Sequence, residues 1–142
     1  MTTYVFSADP DHLDRARVHA WLAEESYWAK GRPREKQESA IDHSLNFGMY
    51  VADDSGDPTT QVAYARVVTD HTTFAWLADV FVDTAHRGHG LGKELIKNVL
   101  AALEPMDLRR ILLKTNDAHG LYAQYDFAPL ESPESWMVRG AQ

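Results

Sequence analysis

The stretch Val80-Phe81-Val82-Asp83-Thr84-Ala85-His86-Arg87-Gly88-His89-Gly90-Leu91-Gly92 holds the features that decide the fold. It opens with an apolar, β-branched run typical of a buried strand and closes with alternate glycines. An amphipathic helix is predicted next, from about residue 90 to 103, because apolar residues recur at helical spacing. These apolar residues are Leu91, Leu95, Ile96, Val99 and Leu103. The sequence therefore predicts a strand, a glycine turn and a helix in that order.

The glycine turn has the architecture of an anion-binding site. Glycines let backbone N–H groups converge, and the helix N-terminus adds a partial positive charge that suits a phosphate. Two familiar nucleotide loops do not fit this turn. A dinucleotide fingerprint starting at Gly88 needs glycine where Lys93 stands, and a P-loop needs Ser or Thr where Glu94 stands. A plain helix start with glycines for close packing is the alternative interpretation.

Short strands and helices are predicted on both sides of this stretch. The β-branched and aromatic runs predict strands at about residues 3–7, 47–52, 61–68, 74–82, 110–115 and 135–138. Helical spacing and capping residues predict helices at about 11–25, 33–44, 90–103 and 118–125. Three sequential strands suggest an antiparallel meander, and the later strand–helix–strand crossover predicts a parallel pair. The predicted fold class is therefore α/β with a mixed sheet, in a single domain over residues 1–142.

The composition excludes several classes of function. Asp and Glu number 21 against 14 Lys and Arg, a net charge of −7 that argues against nucleic-acid binding and weakly favours a cationic small molecule. The absence of cysteine excludes disulfides, a thiolate nucleophile and Cys-based metal sites, and the 7 histidines form no ligand pattern, so no metal is predicted. No apolar run of about 20 residues and no signal-peptide pattern is found, so a cytoplasmic protein without membrane contact is expected.

The glycine turn and its flanks resemble the pyrophosphate loop of the GNAT acetyltransferase superfamily, which reads Arg/Gln-x-x-Gly-x-Gly/Ala after a central strand. Arg87 to Gly92 match it in residues, spacing and context. The family's second acyl-CoA segment has Asn or Thr at a strand end, followed by a short helix with Leu-Tyr and then Gly-Phe. It is similar to Asn116, Leu121-Tyr122 and Phe127 of this chain. The resemblance covers most of the chain from about residue 47 onward.

Two positions depart from the family pattern. Thr84 stands where the family often has proline, and Asp126 stands where it has glycine, although Asp also tolerates a left-handed backbone. Neither position touches a predicted catalytic group. The resemblance implies a mixed, mostly antiparallel central sheet with a splayed parallel strand pair and flanking helices. It also implies acetyl-CoA as the co-substrate.

The resemblance assigns the residues that would hold acetyl-CoA. In GNAT enzymes the pantetheine arm enters the gap between the central strand and the strand after the crossover helix. Backbone groups of Val80, Phe81 and Val82 would pair with it, and Asn116 belongs to the second acyl-CoA segment. The backbone N–H groups of the turn would hold the pyrophosphate; its residues are Arg87, Gly88, His89, Gly90, Leu91, Gly92 and Lys93. Arg87 is expected to bind the ligand or brace the loop, with a solvated surface arginine as the alternative.

Tyr122 is predicted to protonate the departing thiolate, because the matched family segment places its general-acid tyrosine at this position. A tyrosine with an ordinary pKa of about 10 stays protonated at neutral pH and can still donate to a thiolate. An ordinary core tyrosine is the alternative, since Tyr122 shares a helix face with Leu121 and Ala118. The thioester carbonyl would be polarised by a backbone N–H near Val82.

The general base is less clearly marked. Family members often carry a carboxylate or His on the central strand at positions that read Trp76 and Ala78 here. Asp79 lies in the same apolar run and is either a functional carboxylate or a structural one bonded to the backbone or to an arginine such as Arg66. His119 has a suitable intrinsic pKa but also suits a surface or capping role. A water chain that carries the proton out is the third possibility.

The acceptor site is expected at the loop between the first two helices, as in GNAT enzymes. Tyr27 and Trp28 suit stacking on an acceptor or a cation cage, and Lys30 and Arg32 suit a carboxylate or phosphate. The alternative is an aromatic pair that anchors the loop beneath a solvated basic rim. Trp76 is expected to line the same site. The acidic chain as a whole favours an amine, whereas the basic loop favours an anion. An acceptor that carries both groups would satisfy the two preferences, as would contacts of the loop with the adenosine phosphates.

These features predict an acetyl-CoA-dependent N-acetyltransferase that moves an acetyl group to a primary amine of a small molecule by direct transfer in a ternary complex. Two alternatives stay open: a non-catalytic acyl-CoA-binding regulatory module, and an acetyltransferase acting on protein amines. The module is motivated by the missing base on the central strand. A homodimer is expected from family habit and from the Trp and Tyr content near both chain ends.

Overall fold

The computed structural model describes residues 1–141 and contains one five-stranded sheet in which neighbouring strands follow chain order. The strands are β1 (Tyr4–Ser7), β2 (Leu45–Ala52), β3 (Pro58–Thr69), β4 (Phe74–Val82) and β5 (Arg110–Leu112). The first three pairs are antiparallel, and β4 pairs with β5 in parallel. The predicted fold class, a mostly antiparallel mixed sheet with one parallel pair and flanking helices, is confirmed.

Four α-helices flank the sheet: α1 (Arg15–Glu25), α2 (Arg34–Asp42), α3 (Leu91–Leu103) and α4 (His119–Ala123). The first helix begins four residues later than the predicted start at residue 11. Asp14 explains the difference, because its carboxylate accepts the N–H of Arg17 at 3.0 Å and caps the helix there. Residues Pro10–His12 form a separate 3-10 turn before it.

Two apolar cores form because alternate residues of a strand point to opposite faces of the sheet. Ala63, Ala65 and Val67 of β3 pack in the larger core with the apolar face of α3. Tyr64 of β3 packs in the smaller core instead. The smaller core also contains Val18, Trp21, Leu22, Ala29, Ile41 and Phe81. The loop between α1 and α2 is therefore held on the face opposite to α3.

Strands β4 and β5 separate after a short pairing. Phe74, Ala75 and Trp76 pair with Arg110, Ile111 and Leu112, and the register ends there. Residues 77–82 of β4 continue for six residues without a strand neighbour on that side within the described part of the chain. This splayed edge leaves backbone groups of β4 open to a ligand.

A bulge distorts β4 beside the point of separation. The register of β4 against β3 shifts between Tyr64 and Arg66, so that Ala65 lies opposite an extra residue. Asp79 lies in this bulge and adopts a left-handed backbone with φ of 54°. Bulges of this kind redirect a side chain, and a non-glycine residue at positive φ is uncommon.

The predicted strand at 135–138 is wrong. Pro133–Ser135 form a 3-10 turn, and the following residues have no strand partner within residues 1–141. The apolar residues Met137 and Val138 are exposed rather than packed on a sheet face. The strand predicted at 110–115 is also shorter, because the chain leaves the sheet after Leu112. Across residues 1–141, no helix has the length and apolarity needed to cross a bilayer.

Candidate active site

A cleft of about 590 Å³ opens where β4 and β5 separate. The α1–α2 loop forms one wall, the bulged part of β4 forms the floor, and the segment between β5 and α4 forms the other wall. Arg66 of β3, Tyr122 of α4 and Ala141 complete the lining. The full set is Tyr27, Trp28, Arg32, Arg66, Trp76, Leu77, Ala78, Asp79, Val80, Leu113, Lys114, Thr115, Asn116, Asp117, Ala118, Tyr122 and Ala141. The cleft thus combines apolar and aromatic walls with a few charged groups, as ligand sites commonly do.

Tyr122 projects from α4 into this cleft. Its side chain is 7% exposed and packs edge-to-face on Phe127, with ring centroids 5.8 Å apart. Its hydroxyl has no hydrogen-bond partner among residues 1–141, in contrast with Tyr64, whose hydroxyl donates to Asn46. Burial, reinforced by Tyr27 and Asp117, raises the pKa of Tyr122 to about 12. Tyr122 therefore presents a neutral, unengaged O–H group to the cleft.

Asp79 is a buried carboxylate held by three donors. Trp28 Nε1 donates to its Oδ1 at 2.9 Å, and Arg32 Nη1 and Arg66 Nε both donate to its Oδ2 at 2.8 Å. Burial by itself raises the pKa of Asp79, but the hydrogen bonds and charges of Arg32 and Arg66 outweigh it and hold the pKa below the ordinary value. This geometry favours the structural interpretation of Asp79 over a general base, because the carboxylate is ionised and already accepts three bonds.

The α1–α2 loop spans the cleft from one wall to the other. Trp28 bonds Asp79 on β4, while the hydroxyl of Tyr27 accepts the backbone N–H of Asn116, beyond β5, at 2.9 Å. The two aromatic rings contact each other edge-to-face, with centroids 4.9 Å apart. Tyr27 and Trp28 remain 50% and 41% exposed, so they anchor the loop and also present ring surface to the cleft. Both interpretations of this aromatic pair are compatible with these contacts.

The glycine turn leads from β4 into α3 with an open outer side. Gly88 and Gly90 have φ of 86° and 74°, and a Cβ added at either would meet nothing within 4 Å. Arg87 lies over Phe81 and donates from Nε to the carbonyl of Val82 at 3.1 Å, so it braces the turn. The backbone N–H groups near the start of α3 thus have space for an anion.

The inner side of the turn packs on α4. A Cβ added at Gly92 would lie 3.7 Å from Leu121. The Tyr125 hydroxyl donates to the carbonyl of Lys93 at 3.1 Å. These contacts place the helix that carries Tyr122 directly beside the turn.

The cleft brings together only part of the predicted site. Eight of the predicted residues line it: Tyr27, Trp28, Arg32, Trp76, Asp79, Val80, Asn116 and Tyr122. The other predicted residues are not among its lining: Phe81, Val82, Lys30, His119 and the turn residues from 87 to 93. The Phe81 side chain faces α1 and stacks on Trp21 at 5.5 Å, so only its backbone is available to a ligand at this edge. His119 is the exposed first residue of α4.

Several lining residues were not predicted as part of the site. Arg66 was considered only as a possible partner of Asp79, and Lys114, Thr115 and Asp117 were not considered. Arg66 carried one usable signal, since a charged residue inside the apolar run of β3 must be paired or face a cleft. The residues between β5 and α4 carried no comparable signal, because they read as an ordinary polar turn. Among residues 1–141 no group of three or more His, Asp or Glu could hold a metal ion.

Comparison with known proteins identifies the family. The sequence model of the Acetyltransferase (GNAT) family matches residues 13–127, which includes the glycine turn, the cleft and Tyr122. This chain belongs to the GNAT acetyltransferase family. Within that family pattern, Asp126 adopts a left-handed backbone with φ of 68°, as expected for a residue that stands in place of glycine.

Relatives in sequence and structure agree with this membership. The chain is 30% identical over 135 residues to a Gibberella zeae protein named as a candidate acetyltransferase, covering 85% of this chain and 76% of that one. A GNAT-family structure from Xanthomonas campestris pv. campestris superposes with a TM-score of 0.88 and 45% identity, over 99% of this chain and 95% of that chain. A Mycobacterium tuberculosis protein solved in complex with CoA shares the fold, with a TM-score of 0.70 and 16% identity over 89% and 73% of the two chains.

Proposed function

We propose that this GNAT protein transfers the acetyl group of acetyl-CoA directly to a primary amine of a small molecule in a ternary complex. One observation carries the proposal: the hydroxyl of Tyr122, which has no partner among residues 1–141, lies in the cleft at the point where β4 leaves β5. A positioned proton donor speeds the departure of the sulfur when a thioester is cleaved. The neighbouring glycine turn would supply an anion site for the pyrophosphate of acetyl-CoA.

The residues of this edge fit an acyl-CoA. Val80, Phe81 and Val82 would offer backbone groups along the splayed edge of β4, and residues 87–93 would offer N–H groups to the pyrophosphate. The open space outside Gly88 and Gly90 is what a phosphate at this turn would need. Asn116 would contribute its side chain, because its backbone N–H is already bonded to Tyr27. When bound, acetyl-CoA would supply the acetyl thioester.

Tyr122 acts as the general acid in this proposal. Its Oη carries a proton throughout the neutral range, because burial raises the pKa to about 12. The proton passes from Oη to the leaving sulfur as the carbon–sulfur bond breaks and the nitrogen–carbon bond forms. The acceptor loses one ammonium proton to the water chain before attack, and after attack the remaining excess proton on nitrogen passes through water to Oη and restores the Tyr122 hydroxyl. A backbone N–H near Val82 would hold the developing negative charge on the carbonyl oxygen.

A water chain carries the amine proton out of the cleft in this proposal. Trp76 and Ala78 line the cleft but bind no proton, and Asp79 is occupied by Trp28 and two arginines. His119 is exposed on the first turn of α4 and does not line the cleft. Half-exposed aromatic side chains at the mouth leave access for water.

The proposal is tested by measuring free-thiol release from acetyl-CoA with a panel of polyamines, amino acids, aminoglycosides and short peptides. We expect turnover with small primary amines and formation of an N-acetyl product, identified by mass spectrometry. Tight CoA binding with only slow hydrolysis would contradict the proposal and favour a regulatory acyl-CoA-binding module. Turnover confined to peptides would contradict the small-molecule acceptor.

We also propose a homodimer that uses the C-terminal segment. Trp136, Met137 and Val138 are 43%, 98% and 56% exposed, which is unusual for three consecutive apolar residues. They follow the turn that packs beside β5, and β5 has no second strand neighbour within residues 1–141. A second copy would cover these side chains.

A further inference from the structure

The floor of the cleft contains a cluster of two arginines and one aspartate, in which positive charge is in excess. Arg32 and Arg66 both donate to the same carboxylate oxygen of Asp79, each at 2.8 Å. The side chains of Arg32 and Arg66 are 20% and 14% exposed, and that of Asp79 is 2% exposed. Two guanidinium groups and one carboxylate leave an excess of one positive charge in a mostly desolvated place. This local excess opposes the net charge of −7 carried by the whole chain.

Both guanidinium groups keep unused hydrogen-bond donors. Arg32 uses Nη1 twice, toward Asp79 and toward Gln37 Oε1 at 2.9 Å, while its Nε and Nη2 have no partner among residues 1–141. Arg66 uses Nε toward Asp79 and Nη1 toward Ser44 Oγ at 3.1 Å, while its Nη2 has none within the same residues. Both arginines line the cleft. The Nε and Nη2 groups of Arg32 form a fork that matches a carboxylate, and Nη2 of Arg66 adds a further donor.

The two arginines are held in place by contacts behind them. Gln37 is fully buried on α2 and fixes Arg32, and Ser44, two residues after the end of α2, fixes Arg66. Asp79 joins the two guanidinium groups from the side of β4. A surface arginine that merely neutralises a carboxylate needs no such support, whereas a site for a bound anion gains affinity from preorganised donors.

We propose that the acceptor of this enzyme is an amino carboxylate, whose carboxylate is bound by Arg32 and Arg66 while its amine points toward Tyr122. The inference rests on the proposed acetyl transfer, because it names the acceptor of that reaction. A carboxylate carries the single negative charge that balances the excess of the cluster, whereas a phosphate carries close to two. Lys114 and Asp117 also line the cleft and carry one charge of each sign. Trp28 and Trp76 give the intervening carbon chain an apolar surface.

The test compares acceptors that differ in charge at one end, with each rate expressed per concentration of neutral amine, because the carboxylate also raises the pKa of a nearby amine. Glycine, β-alanine and γ-aminobutyrate are each paired with the corresponding carboxamide, and kcat/KM is measured from free-thiol release. We expect at least one acid to be favoured over its amide by roughly 10- to 100-fold, the effect of a hydrogen-bonded charge pair. Equal or better turnover of every amide would overturn the inference and leave the proposed acetyl transfer intact.

Variants locate the carboxylate at the cluster. Arg32→Gln should lower the acid-to-amide ratio of kcat/KM about tenfold or more, because the KM of the acid rises. The KM of acetyl-CoA should stay unchanged. Arg34→Gln is the matched control, since Arg34 lies two residues away and bonds Glu38 on the surface. A raised KM for acetyl-CoA with an unchanged acid-to-amide ratio would assign Arg32 to the co-substrate and overturn the inference.

Direct binding separates failure of this inference from failure of the acetyl transfer. Calorimetry measures the affinity of each acid and each amide for the wild-type protein saturated with CoA. Preferential binding of an acid without any turnover would support the carboxylate site and contradict the transferase. Equal binding of each acid and its amide would overturn the carboxylate site whatever the turnover.

Discussion

At the scale of single residues, Tyr122 carries the sharpest prediction. Tyr122→Phe removes one oxygen that has no partner among residues 1–141, so the melting temperature should be nearly unchanged. We expect kcat to fall about 10²- to 10⁴-fold with little change in KM for acetyl-CoA, the usual contribution of general acid catalysis. Tyr50→Phe serves as the control, because it removes a tyrosine hydroxyl on β2 outside the lining of the cleft. Wild-type turnover in Tyr122→Phe would remove this residue from the mechanism.

Asp79 is predicted to stabilise the folded chain rather than to exchange protons during turnover. Asp79→Asn leaves two guanidinium groups without their shared charge, and we expect a loss of roughly 3 kcal/mol in the free energy of unfolding at neutral pH. The folded-state pKa of Asp79 lies below its ordinary value of 3.8. The stability that its charge contributes is therefore complete at pH values above the ordinary pKa, and it is lost as pH falls through the folded-state pKa. The difference between wild type and variant should therefore shrink below about pH 4.

Urea unfolding of both proteins over a pH series measures this difference. Asp42→Asn is the matched control, because Asp42 pairs with Arg15 at 2.9 Å but is 58% exposed. It should cost less than about 1 kcal/mol, as exposed ion pairs do. An Asp79→Asn variant as stable as the wild type at neutral pH would show that the cluster does not depend on the charge of Asp79.

At the scale of elements, the glycine turn between β4 and α3 is predicted to be the anion site. Gly90→Val places a branched side chain in the space outside the turn, so CoA binding should be lost in calorimetry. The positive φ of 74° at Gly90 also costs an L-residue about 1–2 kcal/mol. Gly56→Val is the control for this strain, since Gly56 has φ of 85° and similar open space in the loop between β2 and β3. Unchanged CoA affinity in Gly90→Val would refute the placement.

At the scale of the whole molecule, the exposed C-terminal segment predicts self-association. Light scattering across micromolar concentrations should give the mass of a dimer. Replacing both Met137 and Val138 by Asp should shift the equilibrium toward the monomer, because each charge would have to be buried in the interface. A monomeric mass of the wild type over the whole range would contradict the dimer.

The sequence by itself determined the elements whose signals are local. The apolar period of α3, the alternation along β4 and the glycines between them depend on neighbours within a few residues, so they predicted the strand, turn and helix correctly. The resemblance of the segments around Arg87 and Tyr122 to GNAT motifs predicted the family. Helix α1 was misplaced at its start, because Asp14 provides the cap.

Only the tertiary structure decided the contacts between distant segments. Asp79 meets Arg66 from 13 residues away and Arg32 from 47 residues away, and this pairing needs the bulge of β4 and the docking of the α1–α2 loop. The bridge from Tyr27 to Asn116 spans 89 residues in the same way. The strand predicted at 135–138 has suitable residues, but the segment passes beside the open edge of β5 without pairing with it. Local patterns indicate which residues are apolar and which element they form, whereas the packing of all elements together determines which distant residues come into contact.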